Sequence, residues 1–518
     1  LQMTGIVSPA VGLLVYNTDS AAFAYRTASA WVFLKGTNTA SNDWSTKGNA
    51  GTNPAVNFIG TSDNQDIIIK RNNIPSGLIS SSNTAFGEQS LNPANTGYGN
   101  ISIGGNTLQN NTTGQNNTAT GHSALTSNDK GNDNTAAGFT ALFKNTLGNR
   151  NTANGSYSLY SNETGNNNTA FGFETLAFNS TGKSNVAIGS HALFTSTTFS
   201  NLVAIGDSAL YNNGTDATHS FESIKNTAVG SKALFLNTTG FENTAVGSKA
   251  LFLNISGAAN TAVGSDALTI NSTGDANTAV GSQSLSNNTI GGLNTAIGEV
   301  AMLSNISGNS NSAIGTGALY LNTTGSNNVA IGQSALNGNK TGYSNVAIGI
   351  SALYRNIDFS NTVAIGDSAL YNNGIGATQI YHSVYNTAVG SKALYANTTG
   401  FQNTAMGRNA LLNNIDGGNN TALGSEAMYL NTSGSTNSAI GNGALAGNTS
   451  GNSNTVQGWR TMFLNKTGFS NVAIGINALY SNANRSNLIA VGDSALFNNT
   501  TGQYNSGVGS KTLYTNIS

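Results

Sequence analysis

A glycine returns every 17 residues through most of this chain, from Gly87 and Gly104 to Gly492 and Gly509, and no other feature limits the fold as strongly. Twenty-five copies carry it. The spacing changes only from Gly206 to Gly230 and from Gly366 to Gly390, where it is 24, an insertion of seven residues each time. A unit this short has too few side chains to enclose a core of its own. Its copies must bury their apolar faces against one another, which makes a rod. The length of 518 residues would otherwise suggest several globular domains, but the repeat overrides that inference.

The segment from Asn226 to Glu242 serves as the type copy, with Gly230 at its fifth position. The third position (Ala228) is Ala in 22 of 25 copies, and the fourth (Val229) is apolar in 22, the exceptions being Thr120, Asn154 and Gln457. The second is Thr in 14 copies and Val, Ile or Ser in the rest. These residues favour a short β-strand that the marker glycine ends, and successive strands would stack in parallel. Copies such as Val346-Ala-Ile348 are apolar on both faces of the strand. A strand of that kind is normally buried on both sides, so the face turned away from the rod's interior needs a cover, and another copy of the rod is the obvious one.

The eighth position (Ala233) is small, the ninth (Leu234) is Leu or Met in every copy, and the twelfth (Asn237) is Asn in 23. Their spacing predicts a short helical turn in preference to a second strand, with Ser231 as its cap and Gly240 past its end. Asn237-Thr-Thr and Asn254-Ile-Ser fit a glycosylation sequon. The Asn persists in copies without a sequon, such as Asn373 and Asn414, which favours an inward amide ladder instead. The opening Asn226 has the same reading.

Three copies depart together, at Leu202-Val-Ala-Ile-Gly-Asp207, Thr362-Val-Ala-Ile-Gly-Asp367 and Leu488-Ile-Ala-Val-Gly-Asp493. In each the opening Asn slips back one place, and the preceding loop has Phe199, Phe359 or Arg485 where glycine is usual. The insertions follow the first two, over 215–225 and 375–385. Loops on one edge of a solenoid are where binding usually sits. His219, Phe221, Tyr381, His382 and Tyr385 are therefore candidates for contact with a glycan or receptor, against the plainer reading of packing on a neighbouring chain. The Asp-Ser-Ala of these copies resembles the Bacteroidetes O-glycosylation signal, which implies Ser208, Ser368 and Ser494 as acceptors, whereas an acid after a turn is often only a cap.

Charged residues are 8% of the chain, against about 25% in ordinary soluble domains. Twenty basic residues nearly balance 21 acidic ones, so no basic field exists to hold nucleic acid or anionic lipid. With no cysteine there is no disulfide framework or thiol chemistry. No apolar run is long enough to span a membrane. The four histidines are scattered without metal-ligand spacing, and the acids are too sparse for a catalytic pair or a calcium repeat. No enzyme, metal or cofactor is expected.

The chain opens at Leu1 rather than Met, which suggests a processed start, and Asn516-Ile-Ser518 stops just short of the next expected glycine. That end suggests either a longer protein or an open turn made to meet the start of another molecule. Residues 1–82 read as a separate β-rich cap or connector and 83–518 as the solenoid. Gly12–Asp19, Ala21–Tyr25 and Ala30–Leu34 look like three strands, and Val56–Lys70 like two more.

The Asn-x-Ala-Ile-Gly core, as in Asn345-Val-Ala-Ile-Gly349 and Asn311-Ser-Ala-Ile-Gly315, resembles the head repeat of trimeric autotransporter adhesins. That resemblance implies a left-handed parallel β-roll, three chains around one axis, and adhesion. The family's repeat is shorter, and its coiled-coil stalk and membrane barrel have no counterpart in these residues. The Gly-Leu-Leu-Val-Tyr-Asn and Phe-Ile-Gly-Thr-x-Asp-Asn segments are similar to large surface or fibre proteins of Bacteroidetes and to some phage tail fibres. The expectation is thus an all-β parallel solenoid with short helical turns, trimeric by resemblance, roughly 120 Å long at about 4.8 Å per turn. It would act as an extracellular structural fibre or filament at the cell surface, adhesive by resemblance. A phage tail-fibre shaft is the first alternative. An ice-binding solenoid is the second, ranked last because the Thr row reads as facing the interior.

Overall fold

The computed structural model describes residues 6–18, 22–34, 50–53, 55–379 and 381–516, and it is all-β, with no helix among them. Two compact units separate at Leu1–Ile67 and Ile68–Ser518. In the first, β1 (Leu14–Asn17), β2 (Ala22–Arg26) and β3 (Trp31–Leu34) form an antiparallel sheet with Leu14 opposite Tyr25 and Phe23 opposite Leu34. Trp44 lies outside the described residues. Only one of the two strands expected over 56–70 exists, β4 (Ile67–Arg71). The amides of Val56 and Asn57 both donate to the Asn53 carbonyl, and the Asn57 side chain accepts from the Asn53 amide. That local turn takes the groups a strand would need.

β4 turns through Asn72 and Asn73, both left-handed at φ 48° and 64°, into β5 (Ile74–Ile79). Two consecutive left-handed residues suit the tight hairpin that matches strand twist. β5 pairs antiparallel with β6 (Asn83–Phe86), and every later pairing is parallel. β5 therefore occupies the edge that the first solenoid strand would leave open, within the stretch that sequence reasoning places in 1–82. The remaining strands run from β7 (Asn100–Ile103) and β8 (Thr118–Thr120), one per copy, to β30 (Ser506–Val508).

In each coil, like stacks on like. Thr261, Ala262 and Val263 pair with Thr278, Ala279 and Val280 one coil on. Bonding continues around the rest of the coil. Leu251 N–H donates to Ala267 O at 3.0 Å, Ser256 N–H to Ser272 O at 2.9 Å, and Ala259 N–H to Phe241 O at 3.1 Å. The expected helical turn at positions six to twelve is absent, and so is a second strand. Lys249 and Leu251 have φ of 55° and 52°, while Ala250 between them does not share that sign. A helix needs one sign throughout. Alternation instead turns the carbonyls along the rod, where the next coil's amides meet them. A left-handed leucine costs about 1–2 kcal/mol. Here its side chain is wholly buried and its amide bonded, which holds it in place.

The third-position alanines, the eighth-position residues and the ninth-position leucines form the core: Ala228, Ala233 and Leu234 have no exposed surface. The third position faces inward, so the second and fourth face out. This corrects the reading of the Thr row as interior-facing. In the type copy Val229 and Gly230 are half-buried at the surface.

Candidate functional site

The interior is polar along one side. Asn254 Nδ2 donates to the Asn237 Oδ1 of the coil before and to Gly257 O within its own coil, both at 2.8 Å. On the Asn226 ladder, the backbone N–H and the Nδ2 of Asn243 both donate to Asn226 Oδ1, at 3.0 and 3.3 Å. Asn237 and Asn254 have no exposed surface and their amides are fully engaged, so they sit where no glycan fits. The fifteenth-position glycine makes room for this ladder. A Cβ on Gly257 would stand 2.5 Å from both Asn271 Nδ2 and Gly274 O.

Phe199 and Phe359 occupy that fifteenth position just before each insertion. Their rings lie against Gly214 and Gly374, left-handed at φ 82° and 85°, where any Cβ would collide with the ring. The ladder is kept by a substitute. Asn213 donates to Ser223 O and Asn373 to Ser383 O, each at 2.9 Å, so the insertion supplies the missing glycine carbonyl. The substitution is incomplete: Asn179 Oδ1, Ser196 Oγ and Asn339 Oδ1 are buried and unpaired. Each such group costs about 1–3 kcal/mol.

The five candidate binding residues do not converge. They divide between two insertions nine coils apart, about 43 Å at the usual strand spacing. In the first, the amides of Thr218 and His219 donate to Glu222 Oε2 at 2.6 and 3.0 Å, and His219 Nδ1 lies 3.2 Å from Oε1. The His219 amide most of all, then that of Thr218, holds the Glu222 carboxyl below the usual range. Phe221 stacks on His219 at 5.3 Å and meets Phe241 edge-on. In the second, Tyr381 meets His382 and Phe401 edge-on at 4.9 and 6.2 Å, and His382 Nδ1 is buried without a partner among the described residues.

A groove of about 580 Å³ opens at the second insertion, with Tyr343, Asp358, Phe359, Asn361, Gln379, Tyr381 and Tyr385 among its lining residues. Tyr343, Asp358 and Gln379 escaped sequence reasoning, which noted Phe359 only as the residue standing where glycine is usual. The signal was available, because Gly206 and Gly366 lie 160 residues apart in two similar segments, and Tyr343, Asp358 and Gln379 stand where the first has Lys183, Thr198 and His219.

Ser208 and Ser368 are half-exposed and face their neighbouring acids, Ser208 Oγ to Asp207 Oδ2 at 3.2 Å and Ser368 Oγ to Asp367 Oδ1 at 3.3 Å, whereas Ser494 is buried. The capping role of these acids lapses, since no helix follows them. The tenth position, unremarkable in sequence, stacks rings along the rod as Phe194–Tyr211–Phe235–Phe252, Tyr354–Tyr371–Tyr395 and Phe463–Tyr480–Phe497–Tyr514, at 5.0–5.5 Å. Each run passes through one of the three slipped copies. Among the described residues no group of three His, Cys, Asp or Glu is placed to hold a metal ion, and no helix is long and apolar enough to cross a membrane. No protein family, curated protein or solved structure matches the chain.

Proposed function

We propose that this chain is a non-enzymatic structural fibre subunit that works outside the cell and associates with copies of itself. The observation that carries the reading is the outward ribbon of the solenoid sheet. Its fourth-position side chains form a nearly continuous apolar row, with Ile297 and Ile314 each 39% exposed in the single chain. Around the slipped copies the second position is apolar too, as in Val186-Ala-Ile188, Val363-Ala-Ile365 and Val472-Ala-Ile474. An exposed apolar row of this length marks an interaction surface. A second or third copy, as in the adhesin-head resemblance, would cover it with an identical row. A coil bonded to its neighbours on every side, with few charges and no thiol, suits work outside a cell.

The test is at the ribbon. Replacing Val280, Ile297 and Ile314 together with Glu leaves the interior alone, and the rod already accepts Thr120, Asn154 and Gln457 at this position. Light scattering should find the unsubstituted chain oligomeric and the variant monomeric, with unchanged circular dichroism. A wild-type monomer, or an oligomer that survives the substitution, would sink the proposal. Ala279, Ala296 and Ala313, which the sequence reading would have chosen, are buried within the rod, so Glu there would only unfold it.

The outward Thr row is the one observation that favours ice binding as a second reading. Thermal hysteresis of the purified chain decides it.

A further inference from the structure

The two insertions are one device with two surfaces. Both open on a glycine that a phenylalanine ring packs against, both return a serine carbonyl to the asparagine ladder, and both carry an aromatic residue, Phe221 or Tyr381, over the next coil's Phe241 or Phe401. The scaffold is therefore held constant, with Phe359 and Asn361 matched by Phe199 and Asn201, while other groove residues differ. Where the second insertion has Tyr343 and Tyr385, the corresponding positions of the first are Lys183 and Lys225, and Asp358 corresponds to Thr198.

We propose that the groove at the second insertion is a binding site for a neutral saccharide. Tyr343, Tyr381 and Tyr385 are 54, 56 and 58% exposed, an unusual concentration of ring surface on a rod whose other large aromatics mostly cover one another in stacks. Pyranose rings have apolar C–H faces and a rim of hydroxyls. They need flat rings for the faces, and donors and acceptors for the rim, here Asp358, Asn361 and Gln379 around the same groove. The groove has no Lys or Arg in its lining, and its carboxylate, Asp358, accepts a hydrogen bond from Thr341 Oγ1 at 2.9 Å. A phosphorylated, sulfated or sialylated ligand would meet a negative charge and no positive one. A neutral sugar loses nothing by that balance. The volume of about 580 Å³ is that of an ordinary small-ligand cleft. The backbone beneath it is fixed by the coil stack, Tyr343 N–H to Ser360 Oγ at 3.0 Å and Asn361 N–H to Tyr343 O at 3.1 Å, so little order remains to be imposed on binding.

The proposal goes beyond the fibre reading and does not depend on it, since a monomeric rod would keep the groove. The test uses the full chain on an array of neutral, sialylated and sulfated glycans, followed by titration with the neutral glycan bound best. The control is Tyr343→Lys with Tyr385→Lys, which gives the second groove the residues that the same scaffold carries at the first. Binding should be confined to neutral glycans and fall about tenfold or more in the double variant, with thermal unfolding and oligomeric state unchanged. Binding to anionic glycans alone, to none, or equally well by the variant would overturn the assignment. Tyrosine shielding that rises with protein concentration and ignores sugar would overturn it too, and give the groove to a second copy.

Discussion

The marker glycine and an occasional glycine two residues after it do different work, and substitution should separate them. Gly264 lies at φ 139°, and a Cβ on it would stand 2.5 Å from the Gly281 carbonyl of the next coil. Both the conformation and the space are closed to a side chain, and the blocking atom is backbone. Gly317, at a seventh position, lies at φ 64° with nothing closer than 3.6 Å to an added Cβ, and most copies have an ordinary residue there. Gly264→Ala should therefore cost several times more than Gly317→Ala, for which the left-handed penalty of about 1–2 kcal/mol is the whole expectation. Urea unfolding of the two variants measures the difference. Equal losses would mean that the coils shift to admit a methyl group. Gly257 needs its space for the asparagine ladder rather than for its φ; of the three uninterrupted copies that lack this glycine, those with Phe199 and Phe359 precede an insertion that returns a carbonyl to the ladder, and the one with Arg485 does not.

At the scale of the element, the strand, the glycine turn and the period were legible because each leaves a residue-type signature at fixed spacing. The six-to-twelve segment was not. Ala, Leu and Asn at i, i+1 and i+4 match a helical face, and no residue type announces a left-handed leucine such as Leu251. The inward face of a three-residue strand apolar on both sides was equally hidden. Ala262 is inside, packed in one core with the ninth-position leucines, a packing fact that alternation alone does not give. The insertions were legible as breaks in the period, but the groove was not, since Tyr343 and Asp358 come from coils before the inserted residues. The first insertion carries a testable pH response. Amides of His219 and Thr218 hold the Glu222 carboxyl low, so the carboxylate stabilises the loop above the unfolded carboxyl range. That contribution is lost as pH falls through the lowered value. Hydrogen exchange over 215–225, corrected for intrinsic rate, should quicken below about pH 4. The second insertion has His382 at the matching place and should show no such step. Glu222→Gln should remove it from the first, and a step that survives the substitution would assign it elsewhere.

In the whole molecule each coil touches only its neighbours, so stability is set locally and a weak junction divides the rod. The asparagine ladder shows where. It runs unbroken from Asn237 through Asn254, Asn271 and Asn288 to Asn322, but stops at Asn179, where the next coil has Ser196, and again at Asn339, where it has Asn356, each Oδ1 staying unpaired. Coils on the two sides of Ser196 should open separately under mild denaturant, with protection falling there before it falls in the 237–322 stretch. The second insertion suggests the repair. At the position matching Ser196 it has Asn356, whose Nδ2 donates to Phe359 O at 2.7 Å and whose Oδ1 accepts from Asn373 at 2.9 Å. Ser196→Asn should gain the same two bonds, to Phe199 O and from Asn213, and remove one buried unpaired hydroxyl. At about 1 kcal/mol per bond the junction would gain roughly 2 kcal/mol. The lower of two urea transitions, or the less protected block in hydrogen exchange, should move toward the other. If Ser196→Asn leaves that transition in place or lowers it, the weak junction lies elsewhere, and the broken ladder is not what divides the rod.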